Sequence, residues 1–312
     1  MNEKKLIYGC MGLGGSWDSS PLTLNIQKQA DKVIETAINA GITHFDHADI
    51  YTFGKAEKVF GNYLKRNPSL RETLFIQSKT GIVLQAGPMQ SSIYNLSKNY
   101  VLDHVDQILK RLSIDYLDTL LLHRPDPLTS MEDLAQTLQE LKASGKVNTF
   151  GVSNMSVAQI QHLQSFLDEP LNCNQIELSL DHSFLLDLEV WVNREESPKE
   201  AGLNNLLTFS SLNKMSIQAY SPLAQGKYRK SDFKEEKDKL TFHLLEELAE
   251  KYNSSVSGIL LAWLWKIPAD IQPIIGTTNL KRIEESAIAL NVNLSREDWY
   301  ALWILAKGRK LP

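Results

Sequence analysis

Asp46, Tyr51, Lys79 and His123 are four residues whose types, taken together, describe acid–base chemistry at a carbonyl oxygen. A phenol titrates near ~10, so at neutral pH Tyr51 would hold a proton and release it reluctantly. An ammonium beside it, which Lys79 would supply, favours the phenolate and lowers that value. A buried ammonium neutralises unless a carboxylate pairs with it, which gives Asp46 a role beside Lys79. An imidazole at His123 would hydrogen-bond a substrate oxygen and orient it. The set amounts to a proton donor for an oxygen that gains negative charge. Each member also has a plain structural reading. Lys79 could be a surface lysine, Tyr51 a packing residue, and His123 a prop for the loop Arg124-Pro125-Asp126. Their joint placement favours chemistry, because they fall at the ends of three consecutive apolar runs.

Those runs belong to a longer alternation. Short apolar segments suited to strands occur at Ile7–Cys10, His44–Asp46, Leu74–Ser78, Thr119–His123, Thr149–Val152, Cys173–Glu177, Ser216–Tyr220 and Gln272–Ile275. Helical patterns lie between most of them, at Ile26–Ala40, Val101–Leu112, Met131–Ala143, Val157–Leu167, Phe242–Tyr252, Val256–Trp265 and Leu280–Leu290, with a tail helix at Arg296–Lys307. Gly41 and Gly145 close two of these helices, as glycine does at a left-handed C-cap. Strands separated by helices pair in parallel through crossovers. Eight such units predict an α/β chain folded as a (β/α)8 TIM barrel, a single domain over residues 1–312. A Rossmann sheet is disfavoured, because Gly12-Leu13-Gly14-Gly15-Ser16-Trp17 lacks the third glycine and the acidic partner of that fingerprint.

In such barrels the strand C-termini carry the site, and here nearly every one is polar. They present Asp46-His47-Ala48-Asp49-Ile50-Tyr51, Ser78-Lys79, His123-Arg124, Ser153-Asn154, Asn174-Gln175, Tyr220-Ser221 and Gly276-Thr277-Thr278-Asn279. Asn279 is placed to cap a helix starting at Leu280, whose N-terminus with Arg282 in the first turn would attract an anion. Leu180–Asn204 reads as a long loop with local helix. Lys227–Lys239 reads as a solvated charged loop, or alternatively as a lid over an anionic cofactor.

Composition narrows the partners. With 33 Lys and Arg against 37 Asp and Glu, the net charge of −4 offers no cationic footprint for nucleic acid. The most apolar stretch, Gly258–Ile267, is half the roughly 20 residues that a bilayer span requires, so no membrane association is expected. The polar, lysine-rich Met1–Leu6 has no apolar run behind it, and Cys10 and Cys173 read as free thiols. A cytoplasmic protein in a reducing compartment is expected.

At these residues the chain resembles the aldo-keto reductases, over about Ile7 to Leu290. The resemblance is carried by Phe45-Asp46-His47-Ala48-Asp49-Ile50-Tyr51, Gly54-Lys55-Ala56-Glu57, Ser78-Lys79-Thr80-Gly81, Leu121-Leu122-His123-Arg124-Pro125-Asp126-Pro127, Gly151-Val152-Ser153-Asn154, Asn174-Gln175-Ile176-Glu177, Tyr220-Ser221-Pro222-Leu223-Ala224-Gln225-Gly226 and Ile274-Ile275-Gly276. Within that family it is most similar to bacterial oxidoreductases whose motifs read His-Ala-Asp-Ile-Tyr and His-Arg-Pro-Asp-Pro.

The resemblance implies NADP(H), or NAD(H), bound in a barrel mouth, and a small-molecule aldehyde or ketone reduced to an alcohol. The family's proton donor falls on Tyr51, its lysine on Lys79, its carboxylate on Asp46 and its orienting histidine on His123. Its nicotinamide contacts fall on Ser153, Asn154 and Gln175, and Tyr220 takes the position that stacks on the ring. Ser221 and Leu223 fall at the pyrophosphate, and Gly276, Thr278, Arg282 and Glu285 at the adenosine end. Trp17 and Phe53 suit pocket walls. Many relatives carry Lys-Ser where Gly276-Thr277 stand, which removes a phosphate ligand that Lys227 and Arg229 would have to replace. His47 stands where a small Thr is usual, and reads equally as a pocket group or as core filling.

Two other classes fit parts of the pattern. Gly54-Lys55-Ala56-Glu57 and Arg124-Pro125-Asp126-Pro127 also resemble the potassium-channel β subunits, which would make the chain an NADP(H)-binding sensor or interaction protein. Those tend to carry Asn at the position of His123. A metal-dependent hydrolase is suggested by His44, Asp46 and His47 at one strand end, but it would need further ligands on later strands, and no metal is expected.

Overall fold

The computed structural model describes residues 3–85, 88–190, 205–229 and 232–312. Eight parallel strands close into a barrel: β1 (Ile7–Gly9), β2 (His44–Asp46), β3 (Phe75–Thr80), β4 (Leu117–Leu122), β5 (Val147–Ser153), β6 (Cys173–Glu177), β7 (Ser216–Tyr220) and β8 (Ile271–Ile275). Each pairs with its neighbours in sequence and β8 closes on β1, with Ile7 opposite Ile274 on one side and His44 on the other. This is the (β/α)8 barrel that the alternation predicts.

The helices form where apolar residues recur at helical spacing, most of them behind a capping side chain. In α1 (Leu24–Asn39) Ala30, Val33, Ile34 and Ala37 are buried, and Thr23 caps the amide of Ile26. Around the barrel follow α3 (Lys98–Leu112), α4 (Met131–Ala143), α5 (Val157–Gln164), α8 (Glu236–Lys251), α9 (Val256–Trp265), α10 (Leu280–Ile288) and α11 (Arg296–Lys307). Ser156 and Gln159 form a reciprocal capping box on α5. The tail helix α11 is locked to α9 by stacked Trp263 and Trp299, each indole N–H donating to the other residue's carbonyl at 3.1 and 2.8 Å.

A helix that the sequence reading left out, α2 (Lys55–Arg66), fills the gap between β2 and β3. It buries Ala56, Val59, Phe60, Tyr63 and Leu64, and it approaches the end of α3 so closely that a Cβ on Gly61 would lie 2.1 Å from the Arg111 carbonyl oxygen. Short helices α6 (Phe184–Val190) and α7 (Leu206–Leu212) lie after β6. The expected Leu180–Asn204 loop therefore contains local helix, and its remainder from 191 to 204 lies outside the described residues. The charged stretch Lys227–Lys239 is not one loop. A short 3-10 segment, Ala224–Arg229, runs into its start, residues 230 and 231 lie outside the described residues, and α8 already begins at Glu236. Cys10 and Cys173 are buried free thiols. Among the described residues no helix is long and apolar enough to cross a membrane.

Inside the barrel the packing is polar where an apolar layer would be usual. Gln77 on β3 and Gln218 on β7 exchange amide hydrogen bonds at 2.8 and 2.9 Å, and Gln175 on β6 donates to Gln218 at 3.0 Å. This layer supports the C-terminal mouth.

Candidate active site

Above that layer, Asp46 at the end of β2 accepts from Gln77 at 2.6 Å, from Gln175 at 3.0 Å and from Lys79 at 2.6 and 2.7 Å on its two oxygens. Lys79 gives a further bond to the His47 carbonyl at 2.7 Å and also interacts with the Tyr51 hydroxyl. Both side chains are almost completely buried. Burial alone would neutralise either one, but each stabilises the other's charge. Asp46 is held below its ordinary range and Lys79 above its own.

Tyr51 lies beyond this pair, with Lys79 Nζ 4.9 Å from its ring centroid. Here the structure corrects the sequence reading. Burial, the largest influence, pushes the phenol up to about 12 in spite of Lys79, instead of lowering it. The physical reason is that burial strips water from the charged phenolate, and Asp46 offsets part of what Lys79 gives back. Tyr51 is therefore firmly protonated at neutral pH. The His123 ring meets it edge-on at 6.3 Å. Burial, with Lys79 and Arg124 nearby, pushes His123 down to about 3, so this imidazole is neutral.

The turn that presents Tyr51 is strained and braced. Thr52 and Phe53 have φ of 48° and 58°, a region that L-residues seldom occupy. Thr52 Oγ1 donates to the Leu13 carbonyl at 3.0 Å. Close by, Gly14 approaches so tightly that a Cβ there would be 2.6 Å from Thr52 Oγ1. Asp49 accepts from Thr80 at 2.7 Å and pairs with His104 on α3 at 2.8 Å. Glu57, fully buried, accepts from Ser78 at 2.7 Å and Arg111 at 2.6 Å, which fastens α2 to β3 and α3.

A cavity of about 570 Å³ opens over these residues. Tyr51, His123 and Asp46 reach it, and so do Ser153, Asn154, Gln175, Tyr220, Ser221, Leu223, Gly276 and Arg282 from the expected cofactor set. Tyr220 donates to Asn154 at 3.2 Å, Asn154 to Ser153 at 2.8 Å, and Ser153 to the Gln175 carbonyl at 3.0 Å. Asn279 caps α10 by accepting from the Arg282 amide at 3.2 Å.

Two members of that set do not reach the cavity. Thr278 precedes the α10 cap and turns into a neighbouring depression with Gly12 and Leu280. Glu285 lies one turn further along α10, where Lys281 engages it at 3.7 Å. Of the expected walls, Trp17 lines the cavity, whereas Phe53 lies outside it and packs edge-on to Trp17 at 6.2 Å. Lys227 is taken by Asp181 and Asp238 at 2.6 and 2.7 Å and cannot replace a missing phosphate ligand, but Arg229 does line the cavity. His47 is core filling. It is fully buried edge-on to Phe60, with both ring nitrogens lacking partners, and burial pushes it down to about 3.

Sequence reasoning missed Gln77, whose amide holds Asp46 from below, and Gln218, which braces Gln77 and Gln175 in turn. Their signal was a polar residue at an inward strand position, one step before Ser78 and two before Tyr220. It also missed Met11 and Ser257 on the cavity wall, where no chemical pattern marks them, and named Ile50 and Thr277 only within motifs. His44, Asp46 and His47 turn to three different partners, and no group of His, Cys, Asp or Glu among the described residues could hold a metal ion.

A family model described as "Aldo/keto reductase family" matches residues 5–306. The uncharacterised oxidoreductase YcsN of Bacillus subtilis is 38% identical over 90% of this chain and 89% of its own length. A 6-dehydroglucose reductase of Agrobacterium fabrum is 33% identical over 98% and 95%. Among solved structures, an aldo/keto reductase from Klebsiella pneumoniae in complex with NADP and acetate superposes with a TM-score of 0.73 at 24% identity, covering 96% of this chain and 90% of that one.

Proposed function

The chain belongs to the aldo/keto reductase family, and we propose that it reduces an aldehyde or ketone to the alcohol, using NADPH in preference to NADH. The observation that carries this reading is a protonated phenol, Tyr51, facing an open cavity directly above a buried Lys79–Asp46 pair. The Klebsiella relative holds NADP, and the Agrobacterium relative is named for reducing an oxidised sugar. The reaction class is carried over from these relatives, not the sugar.

The residues suit a dinucleotide. Arg282, in the first turn of a capped helix, offers a fork of donors to a 2′-phosphate. Gln175 spends its amide N–H groups on Asp46 and Gln218, which leaves its carbonyl oxygen for a carboxamide donor in the cavity. The Tyr220 ring, fixed through Asn154, provides a flat apolar face. When bound, the reduced nicotinamide supplies the hydride.

The chain's own groups manage the proton and the geometry. Tyr51 holds its proton at neutral pH and gives it to the substrate oxygen as negative charge gathers there. Lys79, fixed by three acceptors, stabilises the phenolate left behind. Asp46 keeps Lys79 charged without being able to accept the proton itself. Neutral His123 donates one hydrogen bond to the substrate oxygen and fixes its distance from Tyr51. The test is NADPH consumption, followed by its near-ultraviolet absorbance, across a panel of aldehydes and ketones. Tight NADPH binding with no turnover on any of them would overturn this reading in favour of a nucleotide-binding protein without enzymatic turnover.

A further inference from the structure

The cavity is lopsided in charge. Its lining carries Arg124, Arg229 and Arg282 against one carboxylate, Asp46, and that carboxylate is already held by Lys79 at 2.6 Å. In a chain of net charge −4, cations gathered in one cleft mark a place where an anion is wanted. Arg229 and Arg282 follow β7 and β8, the side at which dinucleotide phosphates would lie. Arg124 follows β4, which is separated from β8 by three strands in either direction around the barrel. It therefore stands across the mouth from Arg282 and next in sequence to His123, at the substrate end.

Arg124 is half-buried, and among the described residues it forms no ion pair. Its partner is the hydroxyl of Tyr220, a neutral group that leaves most of its five donors unused. Its loop is fixed. Asp126 accepts from the Leu96 and Leu128 amides at 2.9 Å each and from Thr129 at 2.7 Å. A guanidinium on a rigid base, partly desolvated and lacking a counter-ion, recognises a carboxylate in two-pronged fashion.

We infer that Arg124 is a specificity-determining residue, and that the preferred substrates are carbonyl compounds carrying a carboxylate a few bonds from the reacting carbon. This rests on the reductase reading above. The carboxylate would be bound before and during reaction alike, so its effect falls chiefly on KM.

The test is steady-state kinetics with two matched pairs: 4-carboxybenzaldehyde and its methyl ester, and succinic semialdehyde and its methyl ester. In the wild type kcat/KM favours each acid over its ester by roughly tenfold to a hundredfold. Arg124→Gln brings the acid-to-ester ratio to within about threefold of one, and Arg124→Lys retains part of the preference. NADPH binding is titrated in the same variants. A wild-type ratio near one, or an unchanged ratio in Arg124→Gln, overturns the inference. So does a loss in Arg124→Gln that falls equally on acid, ester and NADPH, because it would make Arg124 a prop for the Tyr220 ring. If neutral aldehydes are reduced and the acids are not, the inference fails and the reductase reading stands. If no carbonyl compound oxidises NADPH, the reductase reading fails and this inference with it.

Discussion

Lys79 sits 4.9 Å from the centre of the Tyr51 ring, yet it bonds both carboxylate oxygens of Asp46, at 2.6 and 2.7 Å. The ammonium is shared, and the larger share belongs to the carboxylate. Tyr51 thus keeps its proton in the resting protein, and in the proposed reaction it would yield it only to an oxygen made basic by the arriving hydride. That arrangement suits a donor that must not ionise early.

Replacing Tyr51 by Phe removes the proton and keeps the ring. Turnover in carbonyl reduction should fall by roughly 10²–10⁴-fold, about 3–5 kcal/mol of barrier, while NADPH still binds. Single-turnover kinetics with equilibrium titration checks both halves. Turnover within about threefold of wild type would remove Tyr51 from the reaction.

Lys79→Met leaves Asp46 charged, buried and without its ion-pair partner. We expect a loss of about 3–5 kcal/mol in unfolding free energy, with partial recovery in the double variant Lys79→Met/Asp46→Asn, where no uncompensated charge remains. Denaturant unfolding of the four proteins in the cycle measures this. Equal stabilities for the single and double variants would count against the pairing.

The pH profile of reduction should be nearly flat between about pH 5 and about pH 9, because the donor titrates at about 12 and His123 at about 3. Activity declines only as rising pH approaches the Tyr51 value. A break near neutrality in kcat would place an untreated titration in the reacting complex.

Acid stability carries the opposite sign. His44, His47 and His123 are depressed to about 4, 3 and 3, so the folded protein binds fewer protons than the unfolded chain at mildly acid pH. Their contribution to stability is complete above the unfolded value of ~6.5 and is lost as pH falls toward the folded values. His47, which is fully enclosed, gives the sharpest test. His47→Leu should flatten the dependence between about pH 4 and about pH 5.5 by one proton, about 1.4 kcal/mol per pH unit. An unchanged slope in denaturant titrations would show that His47 does not stay neutral.

Arg282→Leu should weaken NADPH binding about tenfold and NADH binding little, because the guanidinium faces a charge that only the former carries. Fluorescence titration with both dinucleotides decides it. An equal loss for both would assign Arg282 to a feature that they share.

Much of this was legible in the order of residues. The barrel could be read because its parallel strands are short apolar runs ending in polar pairs, and because Gly41 and Gly145 close two of the helices between them. Tyr51, Lys79, Asp46 and His123 could be read because each closes or follows such a run. The helix Lys55–Arg66 was hidden by its own start. It follows a left-handed turn at Gly54 with no capping side chain, and its first residues looked like motif rather than helix. Its apolar positions 56, 59, 60, 63 and 64 nonetheless keep perfect helical spacing. The direction of the Tyr51 shift was not legible, since it depends on how completely Asp46 captures Lys79 and how little water remains. That Thr278 and Glu285 stand outside the cavity was not legible either, because proximity in sequence to Arg282 does not say which way a side chain is aimed.

The glutamine layer beneath Asp46 has a consequence for anyone who would engineer this scaffold. Gln77, Gln175 and Gln218 join three staves of the barrel, and two of them, Gln77 and Gln175, also aim the carboxylate of Asp46. Oiling that interior with leucines would toughen the cask and blunt its reactivity in one stroke. Heat resistance is better sought in the outer ring of helices, away from the Asp46–Lys79 pair.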